Sequence, residues 1–226
     1  MNIHLKQYLE IYQKFPVDNY LSKDERKNRH KMLVDWGKLE IQEYPTLNEL
    51  IEFITQNKDI VHINPQFFQK FQSIWKEDLK NGYQFAEFII EMNLQEMMWK
   101  FDISHMELVS TVLKYNPYHI KALKLKLKTL IRYHDFNLHE LPWGVLVEGS
   151  LEEELQSVKE MEEVADKLGY KYKDFEFLVS YCKTYYPLWF EYLSLKEKYG
   201  FKHFLESKEI DTKKISIPYI VFNDTI

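Results

Sequence analysis

Four times along this chain a serine or threonine stands three residues ahead of a glutamate: Ser22/Glu25, Thr46/Glu49, Ser104/Glu107 and Ser150/Glu153. At that spacing the hydroxyl accepts from the amide of the third helical residue, and the carboxylate reaches back to the cap's own N–H. Two free donors at a helix start are thereby satisfied together. Asn64-Pro65 and Asn116-Pro117 are a second kind of start, with Asn as cap and Pro at the first position, where its missing donor costs nothing. Gly82, Gly169 and Gly200 stand where glycines close helices, and Pro16, Pro45 and Pro142 end runs. Six glycines and seven prolines in 226 residues are few for the turns of a many-stranded sheet.

These marks predict helices at 3–15, 23–43, 47–57, 65–81, 83–101, 105–115, 117–140, 151–168, 174–186 and 188–206. The expected fold is all-α, about ten helices packed as antiparallel pairs in a single domain spanning 1–226. The β-branched stretch "ISIPYIVFND", 215–224, fits either a short C-terminal strand or a tail.

Residues 123–128, Leu-Lys-Leu-Lys-Leu-Lys, alternate like a strand. At helical pitch, however, Ile120, Leu123, Leu127, Leu130, Ile131, His134 and Leu138 fall within a sector of roughly 100°. Lys121, Lys124, Lys128, Arg132 and His139 lie on the other side. The strand phase is lost at Thr129-Leu130-Ile131, whereas the helix leaves Leu125 as its one misfit. Over 151–168 the same test places Leu151, Leu155, Val158, Met161, Ala165 and Leu168 on one face. Glu152, Glu153, Glu160 and Glu163 lie opposite, and Glu162 projects to the apolar side.

"STVLKYNPYHIKALKLKLKTLIRYHDF", within about 110–136, resembles the joint between two tetratricopeptide-type units. Leu113 ends one helix, Asn116-Pro117 makes the turn, Ala122 opens the next and Asp135-Phe136 ends it. The resemblance implies helix pairs stacked in antiparallel order, an arrangement that commonly binds proteins. No second copy follows at the period of a true array. In overall style the chain is also similar to small, lysine- and isoleucine-rich bacterial proteins of the toxin-neutralising, or immunity, kind.

Composition narrows the classes further. With 45% hydrophobic and 16% aromatic residues the chain has ample material for a core. Cys182 is the sole cysteine, so no intramolecular disulfide forms and a reducing compartment is expected. The opening "MNIHLKQYLEIYQKF" has no apolar region of the signal-peptide type, and no stretch reads as a membrane span. A cytoplasmic protein is the simplest expectation. The net charge of −5 is concentrated in 150–169, where seven acids face two lysines. Nothing there suits a nucleic-acid binder.

The acidic helix is the preferred functional face, with Glu152, Glu153, Glu160 and Glu163 placed to meet a basic toxin domain and speed its docking by long-range attraction. The plainer account is a solvated amphipathic helix. Trp143 caps the core or stands at a rim; average tryptophan burial favours the core, while an exposed one would anchor an interface. The aromatic segment 181–201, with Trp189 at its centre, is either core or the lining of a groove. Asp135, His139 and Glu140 are the candidates for chemistry, since Asp135 and His139 share a helix face as an acid–base or metal pair must. No third ligand follows at a fixed spacing, and the plainer account pairs Asp135 with Arg132 or Lys128 and sets His139 against the negative helix end. No metal signature, phosphate loop or cofactor motif is present. The expectation is a non-catalytic protein-binding protein that blocks its partner in immunity fashion. The alternatives are a helical enzyme around Asp135 and His139, or a scaffold subunit.

Overall fold

The computed structural model describes residues 1–17, 20–61, 64–94, 98–195 and 199–215, with the side chains of Met98 and Trp99 outside that description. Twelve α-helical segments follow one another among the described residues: α1 Ile3–Lys14, α2 Lys23–Lys38, α3 Leu47–Gln56, α4 Lys58–Val61, α5 Pro65–Asn81, α6 Gln84–Glu91, α7 Met98–Phe101, α8 His105–Tyr115, α9 Ile120–Leu138, α10 Leu151–Leu168, α11 Lys173–Leu195 and α12 Phe201–Ser207. A 3-10 turn at Thr212–Lys214 completes them. The fold is all-α, with no strand among the described residues. Of the stretch read as strand or tail, residues 216–224 lie outside them.

All four capping boxes form, and they open α2, α3, α8 and α10. Their hydroxyls accept the third amide at 3.1–3.3 Å. Asn64 caps α5 more simply, its Oδ1 accepting from the Gln66 amide at 2.9 Å, with Pro65 at the first position. Asn116-Pro117 does not: α9 starts at Ile120, where the His119 ring takes the Ala122 amide at 3.2 Å.

The predicted helix 83–101 breaks after Glu91. Asn93 takes the left-handed conformation, φ 52°, and Leu94 N–H returns to the Ile89 carbonyl at 2.9 Å while Asn93 N–H returns to Ile90. Asparagine thus does the work usually given to glycine. Pro187, expected to separate two helices, lies inside a continuous α11, whose neighbouring turns carry it across the one missing donor. Gly200 caps the start of α12 rather than closing the helix before it. Gly169 closes α10 as predicted, at φ 63°. A methyl group there would meet no atom within 4 Å, so its only penalty is backbone strain. Gly169→Ala is therefore expected to cost about 1 kcal/mol, read as a lower urea midpoint; an unchanged midpoint would mean that residue 169 bears no such strain.

No boundary was legible in 1–226, but the contacts divide the chain into two compact units, Met1–Pro117 and Tyr118–Ile226. The two helices of the tetratricopeptide-like joint fall in different units. In the first, α5 packs against α2, α3, α6 and α7. Its core is aromatic. Tyr8 meets Tyr12, Trp36, Phe53 and Phe67 at ring separations of 4.8–6.0 Å, and its hydroxyl donates to the Ile60 carbonyl. Trp75, fully buried, stacks on Phe85 and meets Phe101 edge-on. In the second unit α9, α10 and α11 pack on one another, and α12 lies on α11. Lys126 reaches Glu160, while Tyr133 reaches Glu154. Partners therefore run in opposite order along α9 and α10, and the pair is antiparallel.

Candidate partner-binding surface

After α9 the chain turns sharply. His139 N–H returns to Phe136, and the amides of Trp143 and Gly144 both donate to the Glu140 carbonyl, at 2.7 and 3.2 Å. Leu146 N–H then donates to the Asn137 carbonyl at 2.8 Å, tying the loop back against the end of α9. Buried Leu141 and Val145 bracket the turn and pin it to the core. Between them Trp143 is thrown outward, 68% exposed, so the core position that average burial favoured is not the one it takes. Two buried neighbours leave no room for a third large side chain on the inner side. The Lys202 ammonium from α12 sits 4.8 Å from the centre of its ring.

Trp189 is half-buried and supports this turn from beneath: a Cβ at Gly144 would lie 3.7 Å from its ring. It is held by Phe201, edge-on at 5.0 Å, and by Tyr192. Within 181–201, Tyr185, Tyr186 and Phe201 are buried, Tyr181, Phe190 and Tyr192 are half-buried, and Tyr199 is exposed. Two further apolar side chains are exposed beside the turn, Phe136 at 61% and Leu146 at 43%.

The acidic helix is less available than its charge suggests. Glu153 is spent as the capping carboxylate of Ser150, whose N–H and hydroxyl hold it well below the usual range. Glu160 takes Lys126, Glu163 takes Lys159 at 3.8 Å, and Glu162, rather than entering the apolar side, takes Lys183 at 2.8 Å. Glu152 makes no ion pair among the described residues. Four carboxylates of this helix are thus engaged within the unit.

The acid that does enter the core is Glu154, 2% exposed. It stands four residues before Val158 and seven before Met161 on the same stripe. One carboxylate oxygen accepts from the Tyr133 hydroxyl at 2.7 Å, and the other has no protein partner. Beside it, His134 is fully buried: Nδ1 meets the Tyr186 hydroxyl at 2.7 Å and Nε2 meets Ser157 Oγ at 3.1 Å. Burial lowers its pKa to about 4. Burial likewise pushes the Cys182 thiol up to about 12, which leaves it protonated and unreactive.

Asp135 and His139 do share a side of α9, but the histidine is occupied at both nitrogens. Nδ1 lies on the Phe136 carbonyl and Nε2 lies 3.0 Å from Glu140. Asp135 is half-buried and its pKa is raised by burial, against the pull of His139. It pairs with neither Arg132 nor Lys128 among the described residues. No group of three His, Cys, Asp or Glu is arranged to hold a metal among the described residues. No helix among them is long and apolar enough to cross a membrane. No protein-family model, curated protein or solved structure matches this chain.

Proposed function

We propose that this is a non-catalytic protein-binding protein that occludes its partner, in the manner of an immunity-type inhibitor, through the surface around Trp143. The observation that carries this reading is Trp143 itself, 68% exposed on a turn fixed by two hydrogen bonds to one carbonyl and by two buried neighbours. An exposed large apolar side chain on a rigid support loses little conformational freedom on binding, and tryptophan is the residue most enriched where interfaces concentrate their energy. Phe136 and Leu146 enlarge the apolar area beside it. Charge reversal at Glu153 would also break the cap of α10, so it would report on folding as well as on binding.

The test is affinity isolation of the tagged chain from its source cells, followed by calorimetry with the recovered partner. Trp143→Ala is expected to leave stability within about 1 kcal/mol, because the side chain is mostly in water. It is expected to weaken partner binding about thirtyfold, the loss of one interface anchor. Unchanged affinity would remove this surface as the binding face.

A further inference from the structure

Resting on that reading, we infer that the partner meets the Trp143 surface with an acidic side chain set beside an apolar one. The carboxylate takes the Lys202 ammonium while the apolar group covers the indole. Lys202, from α12, sets its ammonium 4.8 Å from the centre of the Trp143 ring. The face of the ring attracts positive charge, and so holds a flexible lysine beside the turn before any partner arrives. That ammonium is poorly matched within the chain. Among the described residues the one acid within ion-pair distance of it is Glu206, at 3.9 Å. The same Glu206 oxygen accepts from the buried Thr212 hydroxyl at 2.9 Å, which ties the carboxylate to the 3-10 turn instead. Lys202 Nζ donates no hydrogen bond among the described residues, so its donors are free to serve a partner.

Covering Trp143 strips water from this ammonium as well. Without a new acceptor that loss offsets much of what the indole gains by burial, and a carboxylate makes the strongest bond to it. A side-chain carboxylate fits better than a chain terminus. Capture of a terminus uses converging backbone amides, and the amides of this turn are spent, Trp143 and Gly144 on the Glu140 carbonyl and Leu146 on that of Asn137. The acids of α10 that would draw a basic partner are largely engaged within the unit: Glu153 by Ser150, Glu160 by Lys126, Glu162 by Lys183 and Glu163 by Lys159.

The experiment is selection of a random dodecapeptide display library on the full chain, sequenced in parallel with selections on Trp143→Ala, Lys202→Gln and Lys202→Glu. On the native chain, aspartate or glutamate next to an apolar residue is expected to be enriched about threefold over the unselected library, and on neither Trp143→Ala nor Lys202→Gln. Lys202→Glu is expected to select lysine or arginine in that place instead. By calorimetry, peptides chosen on the native chain are expected to bind Lys202→Gln about tenfold more weakly, and Lys202→Arg, which keeps the charge, within about threefold of the native chain. Enriched peptides that are neutral or basic, or acidic ones that bind Lys202→Gln equally well, would overturn the carboxylate assignment and leave the Trp143 surface standing. Equal enrichment on Trp143→Ala, or no enrichment on any chain, would remove the surface itself, and the inference with it.

Discussion

Trp75→Ala is expected to lower the stability of the first unit by about 3–5 kcal/mol, the range for emptying a large aromatic site in a packed core. The indole is fully buried. It stacks on Phe85 at 5.4 Å, meets Phe101 edge-on at 5.4 Å and touches Phe68 at 6.4 Å. Its ring N–H donates to the Phe101 carbonyl at 3.2 Å, so the variant also leaves a buried acceptor unpaired. Trp75→Phe separates the two effects. It keeps most of the ring packing and loses the hydrogen bond, and is expected to cost about 1–3 kcal/mol. Urea unfolding followed by circular dichroism reads both. A loss below about 1 kcal/mol for the alanine variant would show that α5 and α7 close around the void and that the aromatic cluster is not what secures this unit.

In the second unit, Leu123, Leu127, Leu130, Ile131, His134 and Leu138 are buried on the face where helical periodicity put them, because apolar side chains at helical spacing have few other places to go. The starts of α2, α3, α8 and α10 were equally legible, since a capping box is a contact between residues three apart. Ends were harder to read. Asn93 closes α6 by adopting a backbone conformation that many asparagines do not adopt, and nothing local distinguishes it from one that continues a helix. Pro187 fails as a stop because tertiary packing on α9, α10 and α12 outweighs one lost donor.

The site followed the same division. Net charge pointed to α10, but charge counts do not show which carboxylates are already engaged, and Lys126 and Lys183 come from other helices to engage two of them. Trp143 was named from sequence, yet its exposure depends on how Leu141 and Val145 fill the inside of the turn. Glu154 and His134 were only half legible. Both sit on apolar stripes, but spacing singled out only His134; on α10 it pointed to Glu162, which pairs with Lys183 instead, and the partners of the buried pair, Tyr133, Tyr186 and Ser157, lie on α9, α11 and α10 and are distant in sequence.

That buried histidine gives the second unit a defined response to acid. In the unfolded chain His134 titrates near its ordinary 6.5, and in the fold at about 4, because burial disfavours the charged ring. Between those values the unfolded chain binds a proton that the native one refuses, so stability present above pH 6.5 falls as pH drops and levels off below about 4. The difference corresponds to about 3 kcal/mol. Protonation also turns both ring nitrogens into donors, so the Tyr186 hydroxyl and Ser157 Oγ must then both accept. Other groups at this centre modify the response: the half-buried Asp135, its pKa raised by burial, favours the fold slightly as pH falls, opposing the histidine. Urea midpoints of the native chain are therefore expected to decline from neutral pH to about 4.5 with a slope approaching one proton more than those of His134→Gln. The variant, less stable at neutral pH, keeps a donor and an acceptor in the same place but cannot charge. Parallel slopes for the two chains would mean that His134 is not the group refusing the proton, and that the acid response of this unit resides in its carboxylates.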